Sequence, residues 1–250
     1  MTESPGLSLP GSIGLSHVRS YDWPTEDGLA GGSPHVHLAC TEAYVVTHGR
    51  GAVQTLSTDG YREHELEPGA VAWFAPGTVH RMVQHEDLRV TVLMQNSGLP
   101  EAGDAVFTFP PEVLAEPDSY AAAASIPRQA DEQEKRAAAQ RRRDLAVSGY
   151  LTLREALRAD DAGPLREFHR AAARLVAPKV DHWRKLWRHG ALAAAEHTGA
   201  RLDRLAEGDP ADLESSEVCL AHPSRRDGYG VCGLRDEYEI PGATLPYGGE

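Results

Sequence analysis

The spacing of the apolar residues changes at Pro110 and Pro111, and this change restricts the chain to two parts of different construction. Many short strands at close, regular spacing are typical of an all-β barrel or sandwich. Before the prolines, runs rich in Val, Thr and aromatic residues alternate with Gly, Pro and Asp clusters; the runs are EAYVVTH, GAVQTLS, GYREHEL, AVAWFA, HRMVQ, LRVTVLMQ and AVFTF. Residues 1–110 are therefore predicted to form one β-domain, an all-β barrel or sandwich.

After the prolines, apolar residues recur at helical spacing. Leu165, Phe168 and Ala172 share one helix face, which predicts an amphipathic helix in this stretch. Residues 131–157 are predicted to form one long helix, or two helices separated at Gly149. The chain as a whole is thus expected to be mainly β, with an α-helical domain following the β-domain.

The helical region is predicted to span residues 111–222, and residues 223–250 are predicted to form an irregular tail with a possible short strand. Two roles for the helical region stay open: a lid or wall over the mouth of the barrel, or a packing surface for a partner subunit. Trp183 and Trp187, one helical turn apart, fit either role.

The 250 residues include 37 acidic and 25 basic side chains, which gives a formal charge of -12. Such a field repels phosphate backbones and anionic membrane surfaces, so neither nucleic acid nor a membrane is an expected partner. The basic run Arg141–Arg143 has acidic neighbours and is predicted to be a solvated helix face. A start without a signal pattern and only three cysteines favour a cytoplasmic setting.

The stretch HVHLACTEAY combines residues that suit metal binding. Residues two apart in a β-strand point to the same face, so His35 and His37 present both imidazoles together. Two neutral imidazoles held in this way chelate first-row metals. Glu42 opens the next predicted strand, where it can supply an oxygen ligand, and Tyr44 shares its face.

A second stretch, GAVAWFAPGTVHRMVQ, delivers a further imidazole. Pro76 and Gly77 predict a tight turn, after which His80 begins a strand. Three imidazoles and one carboxylate leave open positions on a six-coordinate metal.

Both stretches resemble the two signature motifs of the cupin superfamily. In the first motif the spacing of HxH, Glu and Gly is matched by His35, His37, Glu42 and Gly49. In the second motif Gly69, Gly77 and His80 match. The sequence departs from the motifs at three positions, which affect turns and not ligands: Leu29 in place of Gly, Ala75 in place of Pro, and Gln84 in place of Asn.

The resemblance implies a double-stranded β-helix, that is, a jelly-roll barrel with one divalent metal near its open mouth. The implied ligands are His35, His37, Glu42 and His80. Tyr44, Trp73 and Met82 are candidates for the pocket wall. Cupin barrels commonly pair through their sheets, so a homodimer is expected.

Iron(II) is the expected metal, although Mn, Ni, Cu or Zn suit the same ligands. Since many similar cupins are dioxygenases, the resemblance implies an Fe(II)-type dioxygenase, an oxidoreductase, acting on a small organic molecule through the four ligands. Two alternatives stay open. The metal can act as a Lewis acid in an isomerase or decarboxylase of a sugar or keto acid, or the chain can be a small-molecule sensor without catalysis.

Overall fold

The computed structural model describes residues 8–214 and 216–239. Within them, ten strands form a single antiparallel sheet, and the strands are β1 (Gly14–Ser20), β2 (Ala30–Gly31), β3 (His35–His37), β4 (Glu42–Ser57), β5 (Gly60–Leu66), β6 (Val71–Phe74), β7 (Val79–Met94), β8 (Ala105–Phe107), β9 (Arg225–Tyr229) and β10 (Gly233–Glu237). The α-helices are α1 (Pro111–Ala115), α2 (Pro117–Ala124), α3 (Glu132–Arg158), α4 (Gly163–Val176), α5 (Val180–Trp187), α6 (Ala193–Ala206) and α7 (Ala211–Glu214).

The two 16-residue strands β4 and β7 form the centre of the sheet. The first half of β4 pairs with β6 and with the second half of β7, whereas its second half pairs with β5 and with the first half of β7. Between the halves the pairing register shifts, which marks β-bulges. The bulges let the sheet fold over one large apolar core, to which both halves contribute.

Gly49 makes this bend possible. Its φ of 71° lies in the left-handed region that side chains disfavour. A Cβ atom at this position would lie 2.1 Å from the Glu86 carbonyl oxygen. The motif glycine is therefore required for the close approach of β4 and β7 at the bend.

Side chains alternate between the core and the outer surface along the strands. In the second half of β7, Leu88, Val90, Val92 and Met94 are buried, as the period of two in a strand requires. Each fully buried side chain of this size stabilises the fold by about 1.5–3 kcal/mol relative to an exposed one.

The fold contains more helix than the expected mainly β class. The helices hold more residues than the strands, and the sheet does not close into a barrel, because β5 and β9 each pair on one side only. The architecture is thus a folded antiparallel sheet. The helical region that the sequence predicted after it is present.

The long helix α3 runs without a break through Gly149, so the prediction of one helix is correct and that of two is wrong. The glycine has a packing role, since a Cβ there would lie 2.0 Å from the Thr108 carbonyl oxygen. Asp131 caps the helix by accepting a hydrogen bond from the Glu134 amide at 2.8 Å. The C-terminal half of α3 buries Tyr150 and packs on the sheet at β4 and β5.

The prediction that the basic run on α3 is solvated is wrong for two of its three residues. Arg142 and Arg143 are buried. Arg143 donates hydrogen bonds to the carbonyl oxygens of Trp23 and Pro24, at 2.5 and 3.1 Å. Its guanidinium also lies over the Trp23 ring. Charge balance along the helix gave no sign of these acceptors, because they lie in a loop distant in sequence.

Helix α4 forms as its apolar periodicity predicts and buries Leu165, Phe168 and Ala172. A short 3-10 turn, Ala177–Lys179, connects it to α5. Trp183 of α5 is buried, whereas Trp187 is 40% exposed. None of the described helices is both long enough and apolar enough to cross a membrane.

The segment predicted as an irregular tail with a possible short strand contributes two strands to the sheet. Strands β9 and β10 form a hairpin, and β10 pairs with β1 along residues 16–20. The part of the predicted tail from residue 240 onward lies outside the described residues. The sequence predicted that the sheet domain ends near residue 110. The sheet instead also includes strands from residues 225–237.

A charged pair anchors the loop before β2 to the outer face of the sheet. Arg81 is fully buried, and it donates to Asp27 at 2.6 and 3.2 Å and to the Thr25 hydroxyl at 2.9 Å. Burial acts to raise the pKa of Asp27, but the hydrogen bonds from Arg81 and Thr25 outweigh it and lower the pKa to about 2.

We expect Asp27→Asn to lower the free energy of unfolding at pH 7 by about 2 kcal/mol, because the buried guanidinium loses its charged acceptor. The folded-state pKa of Asp27 is lower than its ordinary value of 3.8. Its stabilisation is thus complete above pH 4 and is lost as the pH falls toward about 2. Urea unfolding from pH 7 to pH 2 should show the difference between variant and wild type shrinking below pH 4. The exposed neighbour Glu26→Gln is the control, and a pH-independent difference would contradict the assignment.

Candidate metal centre

Strand pairing brings two of the predicted ligands together directly. In the antiparallel pair of β3 and β7, His35 lies opposite His80. Opposed residues of such a pair project to the same side of the sheet, and here the ring centroids are 4.2 Å apart. His37 follows two positions after His35 and projects to the same face.

Glu42, the first residue of β4, completes the cluster. Its Oε2 atom lies 2.8 Å from His80 Nε2 and 3.4 Å from His37 Nε2. The distance from the same oxygen to His35 Nε2 is 4.0 Å. One donor atom from each of the four residues lies within 4.8 Å of all the others. The structure therefore brings together all four residues that the sequence singled out.

Each imidazole is held by an acceptor at its other nitrogen. The Nδ1 atoms of His35 and His80 lie 3.0 and 3.1 Å from the carbonyl oxygens of Ser33 and Thr78. When Nδ1 carries the proton and donates to these carbonyls, Nε2 is left with a lone pair directed toward Glu42. This is the tautomer that a metal ligand needs.

The third imidazole has a carboxylate partner, Asp104. The Nδ1 atom of His37 lies 2.9 Å from Asp104 Oδ2. The other oxygen of Asp104 accepts from the amides of Leu38 and Ala39, at 3.1 and 2.7 Å. Asp104 is fully buried. It therefore fixes both the ring of His37 and the backbone that follows it.

Asp104 is a residue of the candidate site that the sequence did not reveal. It lies 67 positions from His37, at the end of a single helical turn, Pro100–Asp104. A lone aspartate in a turn has no motif or periodicity that points to a histidine in another strand.

Two buried polar atoms of the cluster, Glu42 Oε2 and His80 Nε2, lie 2.8 Å apart without the geometry of a hydrogen bond, and neither has another partner. A buried polar atom without a partner is costly, and a buried carboxylate more so. A divalent cation among the four donor atoms would satisfy both. Imidazole nitrogen and carboxylate oxygen are ligands that divalent first-row metals accept, so the residues present fit such an ion.

The charges in the cluster influence one another strongly. Burial acts to raise the pKa of Glu42, but His37 and His80 outweigh it and hold the pKa well below its ordinary value. Burial acts to lower the pKa of His37, but Glu42 and Asp104 raise it to about 9. Burial lowers the pKa of His35 well below its ordinary value, and the two other imidazoles lower it further. Glu42 is thus an anion at neutral pH, and a cation must displace a proton from His37.

The helical region holds the loops of the site from outside the cavity. Trp183 Nε1 donates to the Ala102 carbonyl at 3.2 Å, in the turn that ends at Asp104. His169 Nε2 lies 2.9 Å from the carbonyl of Gly77, in the turn before His80. Both contacts support segments that carry or orient ligands.

A cavity of about 80 Å³ lies beside the cluster. Its wall contains three of the four ligands and residues of β1, β7, β8 and the C-terminal hairpin: Ser16, Val18, His35, His37, Glu42, Val92, Met94, Pro100, Ala105, Gly230, Val231, Cys232 and Arg235. No described residue of the range 111–222 lines it, so of the two roles left open for the helical region, a lid or wall of this cavity is not what the structure shows. The hairpin takes that place.

The predicted pocket residues differ in position. Tyr44 is buried, with its hydroxyl 3.4 Å from Cys232 Sγ. Met82 is fully buried in the core. Neither lines the cavity. The placement of Trp73 in the pocket is wrong: it is 71% exposed, because its neighbour Phe74 takes the inward position on β6 and stacks on His80 at 4.6 Å.

No model of a known protein family matches the sequence, and no curated protein matches it either. Solved structures do show similarity. A cupin 2 conserved barrel domain protein from Salinispora arenicola has 16% identity and a TM-score of 0.28, over 40% of this chain and 76% of that one.

Two of the similar structures are enzymes by name. The TDP-fucose-3,4-ketoisomerase WlaRA from Campylobacter jejuni has 12% identity and a TM-score of 0.27, over 32% of this chain and 58% of that one. The DMSP lyase DddQ from Ruegeria pomeroyi has 16% identity and a TM-score of 0.25, over 33% of this chain and 38% of that one. The similarity thus covers less than two thirds of either enzyme.

The similarity to these three structures is partial, with TM-scores between 0.25 and 0.28. The motif residues lie on antiparallel strands, and their side chains meet inside a folded sheet. The structure also contains a buried set of donor atoms that suits a divalent metal.

We expect His37→Ala to lower the affinity for a divalent metal by more than about 100-fold, since loss of an outer partner alone costs about 10–100-fold. The bound metal can be measured by elemental analysis after dialysis, and folding by circular dichroism. His48→Ala, at a 63% exposed side chain outside the cluster, is the matched control. Unchanged metal content in a folded His37→Ala protein would show that the ligand assignment is wrong.

Asp104→Asn should reduce metal affinity about 10–100-fold while the protein stays folded. The asparagine keeps an oxygen for the amides of Leu38 and Ala39 but removes the negative charge beside His37. Competition with a chelator of known affinity measures the change, and the exposed Asp118→Asn is the control. Equal affinity in both variants would exclude a role for Asp104 in orienting the ligand.

Proposed function

We propose that the chain is a metal-dependent enzyme, a dioxygenase of the Fe(II) type, that acts on a small organic molecule. The observation that carries the proposal is the position of the four donor atoms beside a small cavity whose remaining wall is mostly apolar. His35, His37, Glu42 and His80 would hold the metal.

The donor set supports a metal with positions left for other ligands. Four protein donors leave two positions of a six-coordinate ion unfilled. His35, His37 and Glu42 line the cavity, so a small molecule in it lies next to the site. When bound, a redox-active divalent metal supplies one-electron chemistry and activates dioxygen. Mn, Ni, Cu and Zn suit the same four residues, and the donor set alone does not choose among them.

Among its described residues, the rest of the wall offers no suitable base for proton transfer. Isomerases of sugars and keto acids need a side chain that takes and returns a proton. Apart from the ligands, the titratable groups in the described wall are Cys232 and Arg235. Burial, with the Glu42 charge, raises the pKa of the Cys232 thiol to about 12, and arginine keeps its proton. Neither residue is a suitable base at neutral pH.

The protein residues around the cluster have two tasks in this proposal. Asp104 and the carbonyls of Ser33 and Thr78 orient the imidazoles, as their hydrogen bonds show. Val18, Val92 and the other apolar wall residues exclude bulk water from the reacting molecule.

The experiment is oxygen uptake by protein loaded anaerobically with Fe(II) and then exposed to air-saturated buffer with small carboxylic acids, keto acids, thiols or phenols. We expect uptake with at least one compound, and at least a 100-fold lower rate for His37→Ala. His48→Ala should retain the full rate.

Other outcomes would replace the proposal. Conversion of a compound without oxygen uptake, by protein holding Zn or Mn, would support the non-redox isomerase or decarboxylase. Binding of a compound with no conversion under any metal would support a sensor. A tightly held zinc and no oxygen uptake with any compound would contradict the dioxygenase.

A further inference from the structure

The cavity beside the metal cluster contains one permanent cation among its described wall residues, Arg235. The remaining wall, apart from the ligands, consists of small polar or apolar groups. This arginine lies on β10, in the part of the sequence that showed no motif. Neither the ligand cluster nor the helical region explains its position.

Strand pairing turns Arg235 toward the cavity. In the pair of β1 and β10, Arg235 lies opposite Val18, and opposed residues project to the same side. Val18 lines the cavity. The preceding residue of β10, Leu234, packs instead against the separate apolar cluster around Trp23. The alternation of β10 therefore places the guanidinium on the inner face.

The guanidinium has donors left for a ligand. Arg235 donates from Nε and Nη2 to one oxygen of Glu237, at 3.2 and 2.7 Å. Arginine has five N–H donors, so this pair uses only part of the set. The Arg235 side chain is 38% exposed, so it is accessible to a molecule that enters the cavity.

The cavity volume limits the size of that molecule. A water needs about 10–15 Å³ of such space, so the cavity of about 80 Å³ holds roughly six water-sized groups. A compound of about five or six non-hydrogen atoms matches this volume. Its apolar part would contact Val18, Val92 and Met94.

We propose, on the basis of the metal-dependent function above, that the substrate is a small monocarboxylate and that Arg235 binds its carboxylate group. Geometry supports the assignment, because Arg235, although its charge is paired with Glu237 at 2.7 Å, keeps N–H donors that this pair does not use. Arginine binds carboxylates through paired N–H donors. Arg235 is thus a specificity-determining residue contributed by the C-terminal hairpin.

The test uses metal-loaded protein and two probes of equal size, propionate and propionamide, of which only the first is charged. Isothermal titration calorimetry should give a dissociation constant for propionate that is at least about tenfold lower than that for propionamide. Arg235→Gln should abolish this preference, and Arg235→Lys should keep part of it. Arg226→Gln, on the neighbouring strand with a 66% exposed side chain, should keep all of it.

Metal content, measured on every variant, separates this proposal from the proposed function. Equal metal in Arg235→Gln and wild type, with loss of the propionate preference, supports the role of Arg235. A wild-type protein that binds no metal overturns the enzyme proposal, whereas the probes still test Arg235. Equal affinities for the two probes in wild type, an unchanged preference in Arg235→Gln, or inorganic phosphate binding as tightly as propionate would overturn the carboxylate assignment.

Discussion

The buried carboxylate of Glu42 is the charge on which the arrangement of the sheet depends. An uncompensated ion in a protein interior costs several kcal/mol, and this one is 4% exposed. Three imidazoles surround it, and each is fixed from behind by an acceptor in a different segment. The loop before β3, the turn before β7 and the turn before β8 must therefore all be in place for the charge to be compensated.

The positions of the imidazoles around Glu42 depend on the pairing register of the strands. His35 faces His80 only while β3 and β7 keep their pairing, and a shift by one residue would turn one imidazole to the opposite face. The bend at Gly49 brings β4 and β7 over the same core. The site thus depends on backbone pairing as much as on the identity of its ligands.

The sequence was sufficient for features that depend on local spacing. The parity of His35 and His37, the turn before His80 and the apolar face of α4 are properties of short windows. The sequence was insufficient for residues whose contacts come from a segment far away in the chain. The burial of Arg143, the hydrogen bond of Asp104 and the pairing of β10 all depend on contacts between segments far apart in the chain. Trp73 was misplaced because the short strand β6 leaves only one of two adjacent aromatic residues facing inward.

The pairing of β1 with β10 has a consequence for biosynthesis. The four ligands and Asp104 precede the helical region in the chain, whereas the hairpin that walls the cavity follows it. A ribosome thus releases a complete set of donor atoms well before the strand that encloses them. Contacts between distant segments form slowly because a long loop must close first. The chain order therefore allows a cation to reach the four donor residues before the last strand docks over them.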